Sequence, residues 1–160
     1  MMLGMEKAEM YNIVLMTVVW LSAMVLTVWD FIVLQSLSYR FGAISLIGLV
    51  CFTVGVAIRL AARRTLRGRF AHRLTKAEGH TLVKYGVYSY VRHPAYLGSN
   101  FLDSGIALLL NSLLGFLLMQ LLVPLLLYRI RIEERILMKE FGDEYSEYVR
   151  TTKKLIPFVY

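Results

Sequence analysis

The chain has 160 residues, a length that suits one domain. Hydrophobic residues make up 58% and charged residues 18%, against about 45–50% and about 25% in soluble domains, and mean hydropathy is +0.58; disorder and an ordinary soluble fold are excluded. The single cysteine, Cys51, excludes an internal disulfide and a cysteine-based zinc site, and the net charge is +7.

Met10 to Trp29 carries no charge for 20 residues, the length of a helix that crosses about 30 Å of hydrocarbon. The run exceeds a signal-peptide core, and its charged flank is weak, with Lys7 between Glu6 and Glu9. It is read as a permanent span. A second uncharged run begins at Phe41, and helix continues to Ala62. From His93 to Tyr128 the only formal charge is Asp103. That stretch is too long for one span, and Asn111-Ser112 followed by Gly115 predicts a tight turn. The expectation is an all-α, integral-membrane bundle forming one domain over 1–160. Its four spans fall near 10–29, 41–62, 96–110 and 113–128, and the last two are short.

The charge is unevenly placed. Arg59, Arg63, Arg64, Arg67, Arg69, Arg73 and Lys76 lie together with no acid among them. Beside apolar spans such a block points to a membrane surface rather than to nucleic acid. His72 belongs to that surface. The loop from Asp30 to Arg40 has one basic residue, and the tail from Arg129 to Lys154 has seven. The positive-inside rule then puts both termini, the connector 78–98 and the tail 129–160 in the cytoplasm. The membrane is the cell membrane in a prokaryote and the endoplasmic reticulum in a eukaryote.

The connector reads HTLVKYGVYSYVRHPAYLG from His80 to Gly98. Pro94 suits the first turn of a helix, and Arg92 and His93 before it are pushed towards extended geometry. These two side chains either snorkel to the interface or line a polar pocket at the helix mouth. The surrounding tyrosines, Gly86 and His80 favour the pocket. In the tail, Ile132, Ile136, Leu137 and Phe141 recur at helical spacing. Gly142 suits a C-terminal cap and Asp143 opens a further short helix. Glu133 and Glu134 sit where the chain leaves the bilayer; a solvated helix face is the plain explanation.

His80-Thr81-Leu82-Val83, Gly86-Val87-Tyr88, Arg92-His93-Pro94-Ala95-Tyr96-Leu97-Gly98, Glu133-Glu134 and Phe141 to Tyr148 together resemble the isoprenylcysteine carboxyl methyltransferases. These are integral-membrane enzymes related to phospholipid N-methyltransferases. The resemblance covers His80 to Tyr160 and implies S-adenosylmethionine as cofactor, with no metal. It implies His80, Leu82, Val83, Gly86, Tyr88, His93, Tyr96, Leu97, Glu133 and Glu134 as cofactor neighbours. It also implies Arg92, with Arg129 or Arg131, at the side of a lipophilic acceptor carried by the bilayer. No glycine-rich Rossmann loop is present to hold the cofactor. An acceptor carboxylate is already anionic at neutral pH and needs no general base, so in-line positioning and exclusion of water remain for the protein to supply.

Three other functions fit parts of the pattern. A phospholipid N-methyltransferase shares the Arg-His-Pro and Glu-Glu elements. A sterol-type reductase using NADPH shares Arg-His-Pro but favours Asn where this chain has Ala95. A small four-helix transporter would need an ionisable group inside a span, for which Asp103 is the one candidate. The charge distribution makes one direct prediction. In a Cys51→Ala background, Phe70→Cys is labelled by a thiol reagent from the cytoplasmic side only; labelling from outside overturns the orientation.

Overall fold

The computed structural model describes residues 2–35, 38–66 and 81–156. His80 and the basic stretch from Arg67 to Lys76 lie outside the described residues. Six α-helices follow one another: α1 (Met2–Asp30), α2 (Ala43–Leu66), α3 (Pro94–Leu109), α4 (Leu113–Gln120), α5 (Leu122–Phe141) and α6 (Asp143–Thr151). A π-helical turn, Phe31–Gln35, extends α1, and a 3-10 turn, Gly86–Ser89, lies in the connector. The chain is an all-helical integral membrane protein.

Three stretches are long and apolar enough to cross a bilayer: Glu9–Leu34, Ala43–Leu66 and Leu113–Phe141. Helix α3, the third expected span and read from the sequence as short, is the one outside this set. Helix α3 has 16 residues, about 24 Å of helix, and falls short of the hydrocarbon thickness. The last arm, expected near 113–128 with helical spacing continuing through Phe141 in the tail, runs past Glu133 and Glu134 to Phe141. Between α4 and α5 the axis is interrupted at Leu121. Pro124 has no N–H for the Gln120 carbonyl, so α4 ends at that carbonyl.

The turn expected at Asn111 is present. Asn111 takes φ 55°, a left-handed conformation that Asn tolerates, and the Ser112 hydroxyl accepts from the Gly115 amide at 3.1 Å as an N-terminal cap of α4. Tyr39 donates to the Leu109 carbonyl at 2.8 Å, and Ser45 donates to Asn111 Oδ1 at 3.2 Å. These bonds tie this end of the bundle together.

Helices α2 and α3 pack with their backbones in contact. A Cβ on Gly55 would strike the Leu102 amide, and one on Gly105 would strike the Phe52 amide. Small residues permit this approach, which replaces the hydrophobic drive that lipid cannot supply between helices. Helix α1 pairs instead with α4 and α5. Asn12 donates to the Leu125 carbonyl at 3.3 Å, and Ala23, Met119 and Leu122 form the apolar contact. The two helix pairs leave a cavity of about 260 Å³ between them, bordered by Met16 and Trp20 on α1, Tyr96, Asn100 and Asp103 on α3, and Leu126 on α5.

Gly55→Ala should destabilise the protein in detergent by about 1–3 kcal/mol, the usual cost of overpacking a fixed contact. Gly42→Ala should stay within about 0.5 kcal/mol, because its nearest neighbour, the Arg40 carbonyl, stands 3.9 Å away. Thermal unfolding of the two variants checks the pair.

Candidate functional site at the connector, α5 and the tail

Pro94 takes the first position of α3, as its sequence position predicts, with His93 as the N-terminal cap residue. Arg92 and His93 therefore project from the mouth of α3 towards α5. Glu134 on α5 meets them. Arg92 Nε donates to Glu134 Oε1 at 2.9 Å, and Lys154 Nζ lies 3.2 Å from Glu134 Oε2. His93 Nε2 stands 3.5 Å from Glu134 Oε1, and its Nδ1 stands 3.9 Å from Glu133 Oε2. The side chains of Arg92, His93 and Glu134 are only 8%, 4% and 18% exposed. A carboxylate this sheltered is tolerable because cationic groups from two other segments face it.

The tail is fastened to the connector by backbone pairing as well. The Arg92 amide donates to the Lys153 carbonyl at 2.8 Å, and the His93 amide donates to the Lys154 carbonyl at 3.1 Å. Val91 and Lys153 form a parallel bridge. Arg92 Nη1 also donates to the carbonyls of Thr152, at 2.5 Å, and Val149, at 3.2 Å, at the end of α6. The expected role of Arg92 at the acceptor side does not match this placement. Its guanidinium is committed to Glu134 and to the last carbonyls of α6, where a cation also complements the helix dipole.

Tyrosines complete the wall. Gly142 takes φ 51° between α5 and α6, a left-handed turn suited to glycine. It swings α6 back so that Tyr145 and Tyr148 are buried against the protein. Tyr148 donates to the Tyr88 carbonyl at 2.6 Å. Burial, and then the charge of Glu133, raise the Tyr88 phenol to about 12. Burial also raises Tyr145 and Tyr148. All three are thus neutral donors at physiological pH.

Within this cluster three buried polar atoms have no hydrogen-bond partner among the described residues: His93 Nε2, Glu133 Oε2 and the Tyr145 hydroxyl. Each such group costs about 1–3 kcal/mol when left unpaired. All three belong to the polar cluster around Glu133 and Glu134. Tyr96 lies beside His93, with ring centroids 5.9 Å apart, and its phenol faces both Glu133 and Arg129. It also borders the 260 Å³ cavity. Tyr96 is therefore the wall shared by the polar cluster and the apolar cavity.

The remaining expected residues divide. Gly86, with φ 63°, backs against Thr65 on α2, and Tyr85 donates to the Thr65 carbonyl at 3.2 Å. Gly86 thus positions the connector. Leu97 packs on Leu126, Ile130 and Leu155 beneath the site. Leu82 and Val83 are half-buried in the segment that leads into the 3-10 turn. Arg129 faces Tyr96 and pairs with Glu9 on α1. Arg131 lines a groove with Glu134, Arg135, Met138 and Tyr145, so it borders the Glu134 side of the site and does not join Tyr96. Sequence reasoning missed Glu9, Thr152 and Lys154. A lone acid at the head of an apolar run was the available signal for Glu9. Nothing local marks Thr152 or Lys154, whose partners are about sixty and twenty residues away.

Arg92→Ala strands Glu134 in a sheltered position, for which about 3 kcal/mol of lost stability is expected. Arg92→Lys keeps the charge but not the fork that reaches the α6 carbonyls, and should recover only part of that loss. Chemical denaturation in detergent, followed by tyrosine fluorescence, measures both.

Comparison with known proteins agrees with this geometry. A profile of the isoprenylcysteine carboxyl methyltransferase (ICMT) family matches residues 46–139. Protein-S-isoprenylcysteine O-methyltransferase of Saccharomyces cerevisiae is 36% identical over 118 residues, covering 72% of this chain and 49% of the relative. The Homo sapiens enzyme of that name is 33% identical over 119 residues, covering 72% of this chain and 42% of the relative. The chain thus spans about half the length of these relatives. A solved structure of a eukaryotic intramembrane Ras methyltransferase superposes with a TM-score of 0.74 at 29% identity, covering 89% of this chain and 52% of that one. With the profile matched over more than half its length, the chain belongs to the isoprenylcysteine carboxyl methyltransferase family.

Proposed function

We propose that residues 1–160 act as one membrane methyltransferase domain, moving a methyl group from S-adenosylmethionine to the carboxylate of a prenylcysteine-like acceptor held in the bilayer. The observation that supports this reading is the polar cluster of His93 and Glu133, whose buried Oε2 has no hydrogen bond among the described residues, beside Tyr96, which also borders the cavity. The names of the relatives support the acceptor class. The orientation set by the basic residues puts both termini and the polar cluster on the cytoplasmic side.

The residues present fit the donor. Glu133 offers a free carboxylate oxygen to a cationic group, and His93 and Tyr145 offer further polar contacts. Glu134 and Arg92 keep His93 and the tail in place around it. When bound, S-adenosylmethionine supplies an electrophilic methyl on a sulfonium. Arg129, beside Tyr96, is the arginine placed to orient an acceptor carboxylate, since a guanidinium can hold two oxygens in a plane. The apolar cavity takes the lipophilic part of the acceptor and excludes water. The carboxylate is already ionised, so no residue has to remove a proton.

A second reading rests on Asp103, an acid bordering the cavity. It would suit a cationic amine, and so a phospholipid headgroup as acceptor. Transfer of labelled methyl to a panel of prenylcysteine analogues and phosphatidylethanolamine decides between them. Labelled carboxyl ester is the expected product; label in the phospholipid alone would favour the second reading.

Calorimetry in detergent should show S-adenosylmethionine binding and none of NADPH. Glu133→Gln should weaken donor binding by about 1.5–3 kcal/mol, the worth of a charge-assisted hydrogen bond. Binding of NADPH with no response to the methyl donor would make the protein a reductase instead.

A further inference from the structure

The half-buried guanidinium of Arg129 is occupied by a carboxylate of the chain itself. Its Nη1 donates to Glu9 Oε1 at 2.5 Å, and the two side chains are 22% and 23% exposed. The other neighbour of the guanidinium is the Tyr96 phenol, which closes the top of the cavity. Glu9 stands at the head of the first candidate span. Asn12, one turn below it, bonds the Leu125 carbonyl, and Met16, two turns below, lines the cavity. Glu9 thus lies about two turns above Met16 on α1, and the cavity and the Glu9–Arg129 pair are joined through Tyr96, which lines the one and meets the other.

We infer that Glu9 occupies the seat of the acceptor carboxylate on Arg129 and gives it up when the acceptor enters. The inference rests on the functional reading above and names the residue that sets acceptor affinity within it. Glu9 and the acceptor present the same chemical group to the same guanidinium. An Arg129 left bare between turnovers would carry an unpaired, partly desolvated charge. Glu9 removes that penalty in the free protein, and from the first turn of a span its side chain can turn out to water when displaced. The methyl ester formed in the reaction is neutral and cannot compete for the guanidinium. Glu9 then returns to Arg129, which favours release of product over acceptor. Glu9 is a positioning residue; it touches neither the transferred methyl nor the donor.

The test uses the full chain in detergent, with an S-prenylcysteine carboxylate analogue as acceptor and its methyl ester as product. In both Glu9→Gln and Glu9→Ala, KM for the carboxylate should fall about two- to fivefold, the free energy of one partly exposed ion pair. The inhibition constant of the methyl ester should stay within about twofold. A strut between α1 and α5 would behave otherwise: its loss would leave KM unchanged, raise it, or shift acid and ester alike, and any of these results in both variants overturns the inference. Failure of the wild-type protein to methylate any carboxylate would instead remove the functional reading, and this inference with it. Methylation by the wild type with no change of KM in the variants removes the inference alone.

Discussion

A carboxylate taken out of water must be met by opposite charge, and at Glu134 that requirement organises the whole site. The side chain leaves α5 near the end of the last span. Its partners are Arg92, His93 and Lys154, which the chain supplies from before α3 and after α6. No one of these segments is long or apolar enough to hold itself in place by burial. Their common attachment to one anion, reinforced by backbone pairing between 91–93 and 153–154, holds them together. His93, held against Glu134, and Glu133 are then presented side by side.

Much of this was legible in the sequence where the rule involved was local. Pro94 fixed the start of α3, Asn111 the turn, and Gly142 the reversal into α6, because each residue type has a backbone preference that acts without distant partners. The motif residues Arg92 and His93 lie against Glu133 and Glu134. What was not legible depended on distance. Arg92 at the edge of a span reads as a cation free to meet a ligand. The carbonyls left unsatisfied at the end of α6 claim it first, and nothing near Arg92 in sequence announces them. The extent of α3 was legible too: a short arm near 96–110 was expected, and the helix runs Pro94–Leu109.

The bundle divides its mechanical duties. Between α2 and α3 the glycines Gly48, Gly55 and Gly105 bring backbone against backbone, a close contact with little freedom to shift. Between α1 and the α4–α5 arm the contact is made by side chains: Asn12, Ala23, Met119 and the Glu9–Arg129 pair. The cavity lies between a rigid wall and an adjustable one. Polar residues of α3 face it from the rigid side, while Met16 and Trp20 face it from the side that can give.

The pairing of the connector with residues 152–154 also sets a timetable for biogenesis. Helices α2 and α3 are complete once Leu109 has been made, and their glycine-lined contact needs nothing from later residues. The connector between them cannot reach its final form at that stage, because Arg92 and His93 wait for partners translated some sixty residues later. During that interval the helices are in the bilayer while two of the ionisable groups that build the pocket are still unmatched. The polar cluster thus closes only after residues 152–154 have been made. A nascent chain stalled before Lys154 would be inserted in the membrane yet unable to close its own site.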